Sequence, residues 1–175
     1  MYFVTGEIML NISFFSTQYT VKKLVQADVD AIYLLCCGNP LFYEYCPPDV
    51  TKESIAQDMQ ALPSGKSYDD KYYLGFWKGD TLVAVLDLIL NYPNCETAFV
   101  GFFMIEQKFQ KQGIGSQIIE ELCQHLKKQG YSFVRLGYAK GNSQSRKFWL
   151  KNHFDNVGVE YQTSGYTVVV LQREL

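Results

Sequence analysis

Histidine occurs only twice in the 175 residues, at His125 and His153. The five cysteines (Cys36, Cys37, Cys46, Cys95, Cys123) never fall into C-x-x-C spacing. These scarcities argue against a zinc site, and an odd cysteine count argues against a disulfide framework, so no metal is expected. The cysteines read instead as small buried hydrophobes in a reducing compartment. An excess of one charge is also missing: 16 Lys and Arg face 18 Asp and Glu, leaving a net −2. Without a basic surface there is no electrostatic case for a nucleic-acid partner. No uncharged apolar run reaches the roughly 18 residues that a membrane span needs. The apolar opening stretch has no Lys or Arg of the kind a signal peptide carries at its start. The expectation is a cytoplasmic protein with neither a membrane nor a nucleic acid as partner.

What is abundant is apolar bulk. Hydrophobic residues make up 47% and aromatic residues 15% of the chain, enough to fill the core of one domain of ordinary size. Residues 1–18 are an apolar extension without a clear period, open to reading as an added edge strand, a dimer contact or a poorly ordered tail. Residues 19–175 read as a single domain. Alternation over Tyr19–Leu24 predicts a strand, and Asp28 stands where it would cap a helix carrying Ala31, Ile32, Leu34 and Leu35. Asn39-Pro40 closes that helix, Pro47-Pro48 breaks the chain again, and Thr51 with Ser54 opens a second helix to about Leu62. The Gly-Lys-Ser inside Pro63–Ser67 imitates a phosphate loop, but Gln60 replaces the leading glycine and no strand precedes it, so it reads as a plain loop.

Strands follow over Lys71–Trp77 and Thr81–Leu90 with Lys78-Gly79-Asp80 as their turn, and a third over Thr97–Ile105 after the turn at Tyr92-Pro93-Asn94. Ile114, Ile118, Leu122 and Leu126 recur every four residues, widened by Ile119, and mark an amphipathic helix that Gly130 stops. Tyr131–Ala139 reads as a strand, Ser143–Lys151 as a short helix and Thr167–Arg173 as a last strand. The fold class is a mixed α/β (α+β) domain whose middle section is antiparallel.

Chemistry concentrates where the third strand ends. Phe103-Phe-Met-Ile-Glu-Gln-Lys-Phe-Gln110-Lys-Gln-Gly113-Ile-Gly115 takes the chain from a strand through a loop into a helix that begins at a glycine pair. A helix start exposes unpaired N–H groups and a partial positive charge, and glycines let a bulky anion come close. Lys108 and Lys111 could add charge toward a phosphate. A dinucleotide-binding joint fits less well, because Ile118 occupies a position that needs a small residue.

The string Gln110-x-x-Gly113-x-Gly115 after an apolar strand resembles the coenzyme A pyrophosphate motif of the GNAT superfamily of N-acetyltransferases. The segment Gly141-Asn-Ser-Gln-Ser-Arg-Lys-Phe-Trp-Leu-Lys-Asn-His-Phe154 resembles the second motif of that family, and the distance between the two and the order of elements over residues 19–175 agree with it. The resemblance implies the GNAT fold: a mostly antiparallel twisted sheet of six to seven strands, helices on both faces, and a splayed V-shaped cleft. It implies acetyl-CoA as cosubstrate and direct attack of an amine on the thioester, with no covalent enzyme intermediate. The pantetheine arm would pair with the backbone of Phe103, Met104 and Ile105, and the Ile105 N–H would stabilise the oxyanion. The pyrophosphate would sit on the amides of Gln110, Lys111, Gln112, Gly113, Ile114 and Gly115. Asn142 matches the family's side-chain contact to the pantetheine arm, or else caps the helix that follows. Ser145 and Trp149 complete that segment's share of the cofactor cleft.

An alkylammonium must lose a proton before it attacks. Asp87, a charge inside the apolar run Leu82–Leu90, is the first candidate for the base; Glu96 and Glu106 are weaker. The family often places a tyrosine, as proton donor to the departing thiolate, where this chain has Trp149. An indole N–H cannot fill that role, so Tyr138 or solvent is the expected substitute. Phe42, Tyr43, Tyr45, Tyr72, Tyr73 and Trp77 read as core or as an aromatic pocket for a small-molecule amine. Acetylation of a protein lysine or N-terminus, which would need an open groove, is the second reading, and a non-catalytic acetyl-CoA-binding module the third. Homodimerisation through the N-terminal segment or the last strands stays open.

Overall fold

The computed structural model describes residues 10–175. After a short polar edge strand, β1 (Thr20–Lys23), come strands made from long apolar stretches: β2 (Lys71–Lys78), β3 (Thr81–Ile89) and β4 (Thr97–Ile105). Helix α4 (Ile114–Lys128) then leads to β5 (Phe133–Ala139), α5 (Ser143–Lys151), β6 (Asp155–Gln162) and β7 (Thr167–Glu174). The seven strands form one sheet in the order β1-β2-β3-β4-β5-β7-β6, and every neighbouring pair is antiparallel except β4 with β5. Helices cover both faces of the central strands, so β2 and β3 bury consecutive residues rather than alternate ones, as fully covered strands do. Leu74, Leu86 and Leu88 point to the face covered by Ile118, Ile119, Leu122 and Leu126 of α4. Tyr73, Val85 and Met104 point the other way, against α1 (Val29–Cys37) and α3 (Lys52–Gln60).

Several local expectations are met at the level of single hydrogen bonds. Thr51 and Ser54 form a reciprocal cap at the start of α3, with Ser54 N–H donating to Thr51 Oγ1 at 3.0 Å and Thr51 N–H to Ser54 Oγ at 3.0 Å. Asp28 behaves differently. Its carboxylate accepts from Val25 N–H at 2.8 Å and so braces the 3₁₀ turn Gln26–Asp28 ahead of α1, leaving α1 without a side-chain cap.

The structure adds two elements to those the sequence predicts. Helix α2 (Pro40–Tyr45) starts with the proline read as a stop; proline is equally at home in the first turn, where its missing N–H is not needed. Strand β6 is exposed along its whole length, so it lacks the apolar alternation by which strands are recognised. The described part of the N-terminal extension is no strand. It makes a 3₁₀ turn, Ile12–Phe15, packed on α4, where the Phe15 ring meets His125 edge-on at 5.1 Å and the Thr17 hydroxyl donates to Glu121 at 2.6 Å. The remaining residues of that extension, 1–9, lie outside the described residues. Among the described residues, no helix is long and apolar enough to cross a membrane.

A break in the strand pairing opens the sheet. The parallel ladder between β4 and β5 holds only from Thr97–Val100 to Phe133–Leu136. Beyond it β4 continues along β3, β5 continues along β7, and the two strands part.

Candidate active site

The parting leaves one edge of β4 without a strand, and the register tells which groups lie on it. In an antiparallel ladder, residues alternate between exchanging hydrogen bonds with their partner and pointing away from it. Glu106 N–H donates to Val83 carbonyl at 2.9 Å, and the register gives Val85↔Met104 and Asp87↔Phe102. Phe102, Met104 and Glu106 therefore spend their backbone groups on β3, while Phe103 and Ile105 direct theirs into the gap. Met104 differs from the sequence expectation on this point: its backbone belongs to the ladder and its side chain is buried in the α1/α3 core. A strand residue sends alternate peptides to opposite sides, so three successive residues cannot all face the same gap.

The gap widens into a cleft of about 220 Å³. Phe103, Trp149, Tyr138, Asn142 and Ser145 line it, and from α2 and the β6–β7 hairpin come Phe42, Cys46, Tyr161 and Tyr166. Among the described residues that line it, none is charged. Phe103, Phe148, Trp149 and Phe154 pack ring on ring at centroid distances from 4.9 to 5.9 Å, which makes the α5 wall rigid. Asn142 caps α5, its Oδ1 accepting from Ser145 N–H at 2.9 Å, and it also lines the cleft, so its two sequence readings are compatible.

At the open end of β4 the chain passes through the 3₁₀ turn Gln107–Phe109 into the loop before α4. Lys111 (φ 60°) and Gly113 (φ 82°) both adopt left-handed backbone. For a lysine this conformation costs on the order of 1–3 kcal/mol and persists where surrounding structure imposes it, as at ligand clamps. Gln117 N–H makes the first helical bond, to Gly113 carbonyl at 3.0 Å, which leaves the N–H groups of Ile114, Gly115 and Ser116 without helical partners. A Cβ on Gly113 would meet nothing within 4 Å, so its flank is open; one on Gly115 would lie 3.1 Å from the Phe148 ring. The two glycines therefore serve different ends, Gly113 the loop and Gly115 the packing of α4 on α5. The Gln112 side chain braces the loop by donating to Lys108 carbonyl at 2.7 Å.

Asp87 lies on the opposite side of β4, paired with Lys71, whose Nζ stands 2.9 Å from each carboxylate oxygen. The two side chains are 3% and 14% exposed for Lys71 and Asp87 respectively. Burial pushes the Asp87 carboxyl above the usual carboxylate range, the Lys71 ammonium opposing that push and Asp58 adding to it. The register slips between Asp87 and Leu88, so that Gly101 bulges out of β4 beside Asp87. A Cβ at Gly101 would stand 2.9 Å from Asp87 Oδ2. Gly101 is itself exposed and lines the cleft, so Asp87 Oδ2 stands close behind one of the cleft's lining residues. Glu106, by contrast, caps the 3₁₀ turn by accepting from Lys108 N–H at 3.0 Å, and Glu96 sits exposed near the far end of β4.

The site thus combines a strand edge freed in mid-sheet with a strained loop that presents helix N–H groups, and a buried carboxylate lies across β4 from that edge. The sequence profile of the acetyltransferase (GNAT) family matches residues 39–154. The chain belongs to the GNAT family. Similar solved GNAT structures include an acetyltransferase from Thermus thermophilus, at a TM-score of 0.71 and 20% identity over 89% of this chain and 96% of that one. PaiA N-acetyltransferase from Thermoplasma acidophilum, in complex with coenzyme A, gives 0.65 and 17% over 89% and 98%. A Salmonella typhimurium acetyl transferase that modifies the N-terminal serine of ribosomal protein L7/L12 gives 0.73 and 18% over 92% and 97%. A comparison with curated protein sequences finds no match. The GNAT chain is thus an acyl-CoA-dependent N-acyltransferase, and its parted strands and open loop suit a cosubstrate with a peptide-like arm and a diphosphate.

Sequence reasoning about this GNAT site missed Lys71, Gly101 and Asn39. Asn39 reaches the end of β4 from the α1–α2 joint, 66 residues away in sequence, to donate to Ile105 carbonyl at 3.1 Å. Only a pairing register could have predicted Lys71 and Gly101. Nothing local in the sequence signals Asn39.

Proposed function

We propose that this GNAT enzyme transfers the acetyl group of acetyl-CoA to the primary amine of a small molecule with an apolar body. The observation that supports a small acceptor is the roof of the cleft. The end of α2 and the segment after it approach the opposite wall: Tyr45 lies 3.4 Å from where a Cβ of Gly141 would be, and Pro47 Cγ 3.5 Å from the corresponding point at Gly165. Cys46 and Tyr166 both line the cleft at this end. A polypeptide acceptor needs an open groove at this place, whereas a roofed, ring-lined cleft suits a compact amine.

In this reading the pantetheine arm pairs with Phe103 and Ile105, the pyrophosphate rests on the loop amides from Gln110 to Gly115, and Asn142 and Ser145 meet the arm from α5. Asp87, ionised and reached past Gly101, takes the proton of the attacking amine. The amine nitrogen bonds to the thioester carbon, the Ile105 N–H donates to the developing oxyanion, and the C–S bond breaks with its electron pair leaving on sulfur. Tyr138 in the cleft wall, or solvent, supplies the thiolate's proton. Trp149 packs among rings and holds the wall.

The test is release of free thiol from acetyl-CoA with a panel of arylalkylamines, polyamines, aminoglycosides, amino acids, lysine peptides and N-terminal peptides. Turnover confined to small amines is the expected result. Turnover with peptides alone would overturn the small-molecule reading and leave the acyltransferase assignment standing.

A further inference from the structure

Ile105 has a second set of contacts that the transfer chemistry leaves unused. Its carbonyl, directed into the gap, accepts from Asn39 Nδ2 at 3.1 Å and from Gln110 Nε2 at 2.9 Å. The same Gln110 nitrogen also reaches Asn39 Oδ1, and Asn39 Nδ2 also donates to Leu35 carbonyl at 2.9 Å. One donor would satisfy this carbonyl; here two side-chain amides converge on it and bond to each other. They come from different parts of the molecule. Asn39 joins α1 to α2, the acceptor side of the cleft, and Gln110 opens the loop that leads to α4.

The geometry has a direct effect on the backbone. The peptide that follows Ile105 is held at both ends: its N–H, that of Glu106, donates to Val83 carbonyl at 2.9 Å, and its C=O sits in the amide pair. In an extended residue the N–H and C=O point to the same side. While Ile105 stays extended, a carbonyl held on the cleft side therefore keeps the Ile105 N–H on that side as well. Without the amide pair, the last residue of a strand edge that has lost its neighbour would be held from the β3 side alone.

We propose that Asn39 and Gln110 are positioning residues, a clasp that aims the Ile105 N–H at the thioester oxygen and ties that aim to the α1–α2 wall of the acceptor side. The inference rests on the role given to Ile105 in the transfer reading. It assigns to Asn39 a part in the reaction although Asn39 touches neither reacting group, and it gives the Gln110 side chain an inward, structural target rather than a phosphate.

The test uses the full chain and acetyl-CoA isotope-labelled at the acetyl carbonyl, whose infrared stretch moves to lower frequency when its oxygen accepts a hydrogen bond. Asn39→Asp keeps the side chain's shape but replaces the donor with an acceptor; Gln110→Met keeps length and removes the donor. In the wild type the bound carbonyl band is expected below its free position. In each variant that band returns toward the free position while calorimetric affinity for coenzyme A, which lacks the acetyl group, stays near wild type. With the amine found by the panel, kcat falls about 100-fold, the scale of a misplacement near 1 Å. Retention of the lowered band and of kcat in both variants would overturn the clasp and leave the role of Ile105 intact. A wild-type band at its free position would overturn the role of Ile105 and the clasp with it. Should one variant fail to fold, the other carries the same readouts.

Discussion

At Asp87 two effects act against each other. Burial favours the neutral carboxylic acid, while the Lys71 ammonium, in contact with both oxygens, favours the anion. Burial wins, so the carboxyl titrates above the ordinary range, and a base must be deprotonated to work. The rate is therefore expected to rise with pH through the folded-state pKa of Asp87, giving an acid limb above the usual carboxylate value of about 3.9. Lys71→Met removes the opposing charge, and the limb should move to higher pH in a pH–kcat/KM profile; a limb that stays put would remove Asp87 from the proton transfer. Asp87→Asn should lower kcat by about 100-fold or more, the range for loss of a general base, with acetyl-CoA affinity by calorimetry unchanged. Gly101→Ala tests the same site from the other side. Its Cβ would press on Asp87 Oδ2 at 2.9 Å, and turnover is expected to fall with no change in coenzyme A binding. Asp87 stood out in the sequence as a candidate because a charge inside an apolar run is conspicuous. Gly101 was not, because its significance arises only from a bulge that places it opposite that charge.

Among the elements, the loop and helix α4 carry the clearest stability consequence. Gly113 holds a left-handed conformation (φ 82°) at the helix start, where a side chain costs about 1–2 kcal/mol. Gly113→Ala should therefore lower the melting temperature and weaken coenzyme A binding together, since the same backbone shape presents the loop amides. Gly115→Ala should lower the melting temperature through the Phe148 contact at 3.1 Å while affecting coenzyme A less. Helix α4 could be read from its apolar periodicity and strands β2 to β4 from their continuous apolar runs, because all are packed on the core. Helix α2 and strand β6 could not, for opposite reasons. Six residues of α2 are too few to show a helical period, and β6 faces solvent along its whole length, leaving no buried face to imprint a pattern. The two loop–helix motifs at Gln110–Gly115 and Gly141–Phe154 disclosed the family; the roof and the Asn39 contact, built from residues distant in sequence, became visible only once the chain was folded.

For the molecule as a whole, the parting of β4 from β5 divides the sheet into two parts, β1 to β4 and β5 to β7, joined through four ladder pairs. A cosubstrate that pairs with the free edge of β4 bridges them. Amide hydrogen exchange should then slow at Phe103 and Ile105 when acetyl-CoA binds, while Met104, already bonded to β3, should change little; equal protection of all three would refute the assigned strand parity. Stabilisation should follow mass action, reaching about 2.7 kcal/mol at a ligand concentration 100 times Kd.

The roof over the cleft also bears on how product departs. An amine arrives as a cation, attractive to the electron-rich faces of Phe42, Tyr161 and Tyr166. It leaves as an amide, larger by an acetyl group and without charge. In the small-amine reading proposed above, acetylation would cancel that attraction, and the cleft would favour discharge of its product over retention.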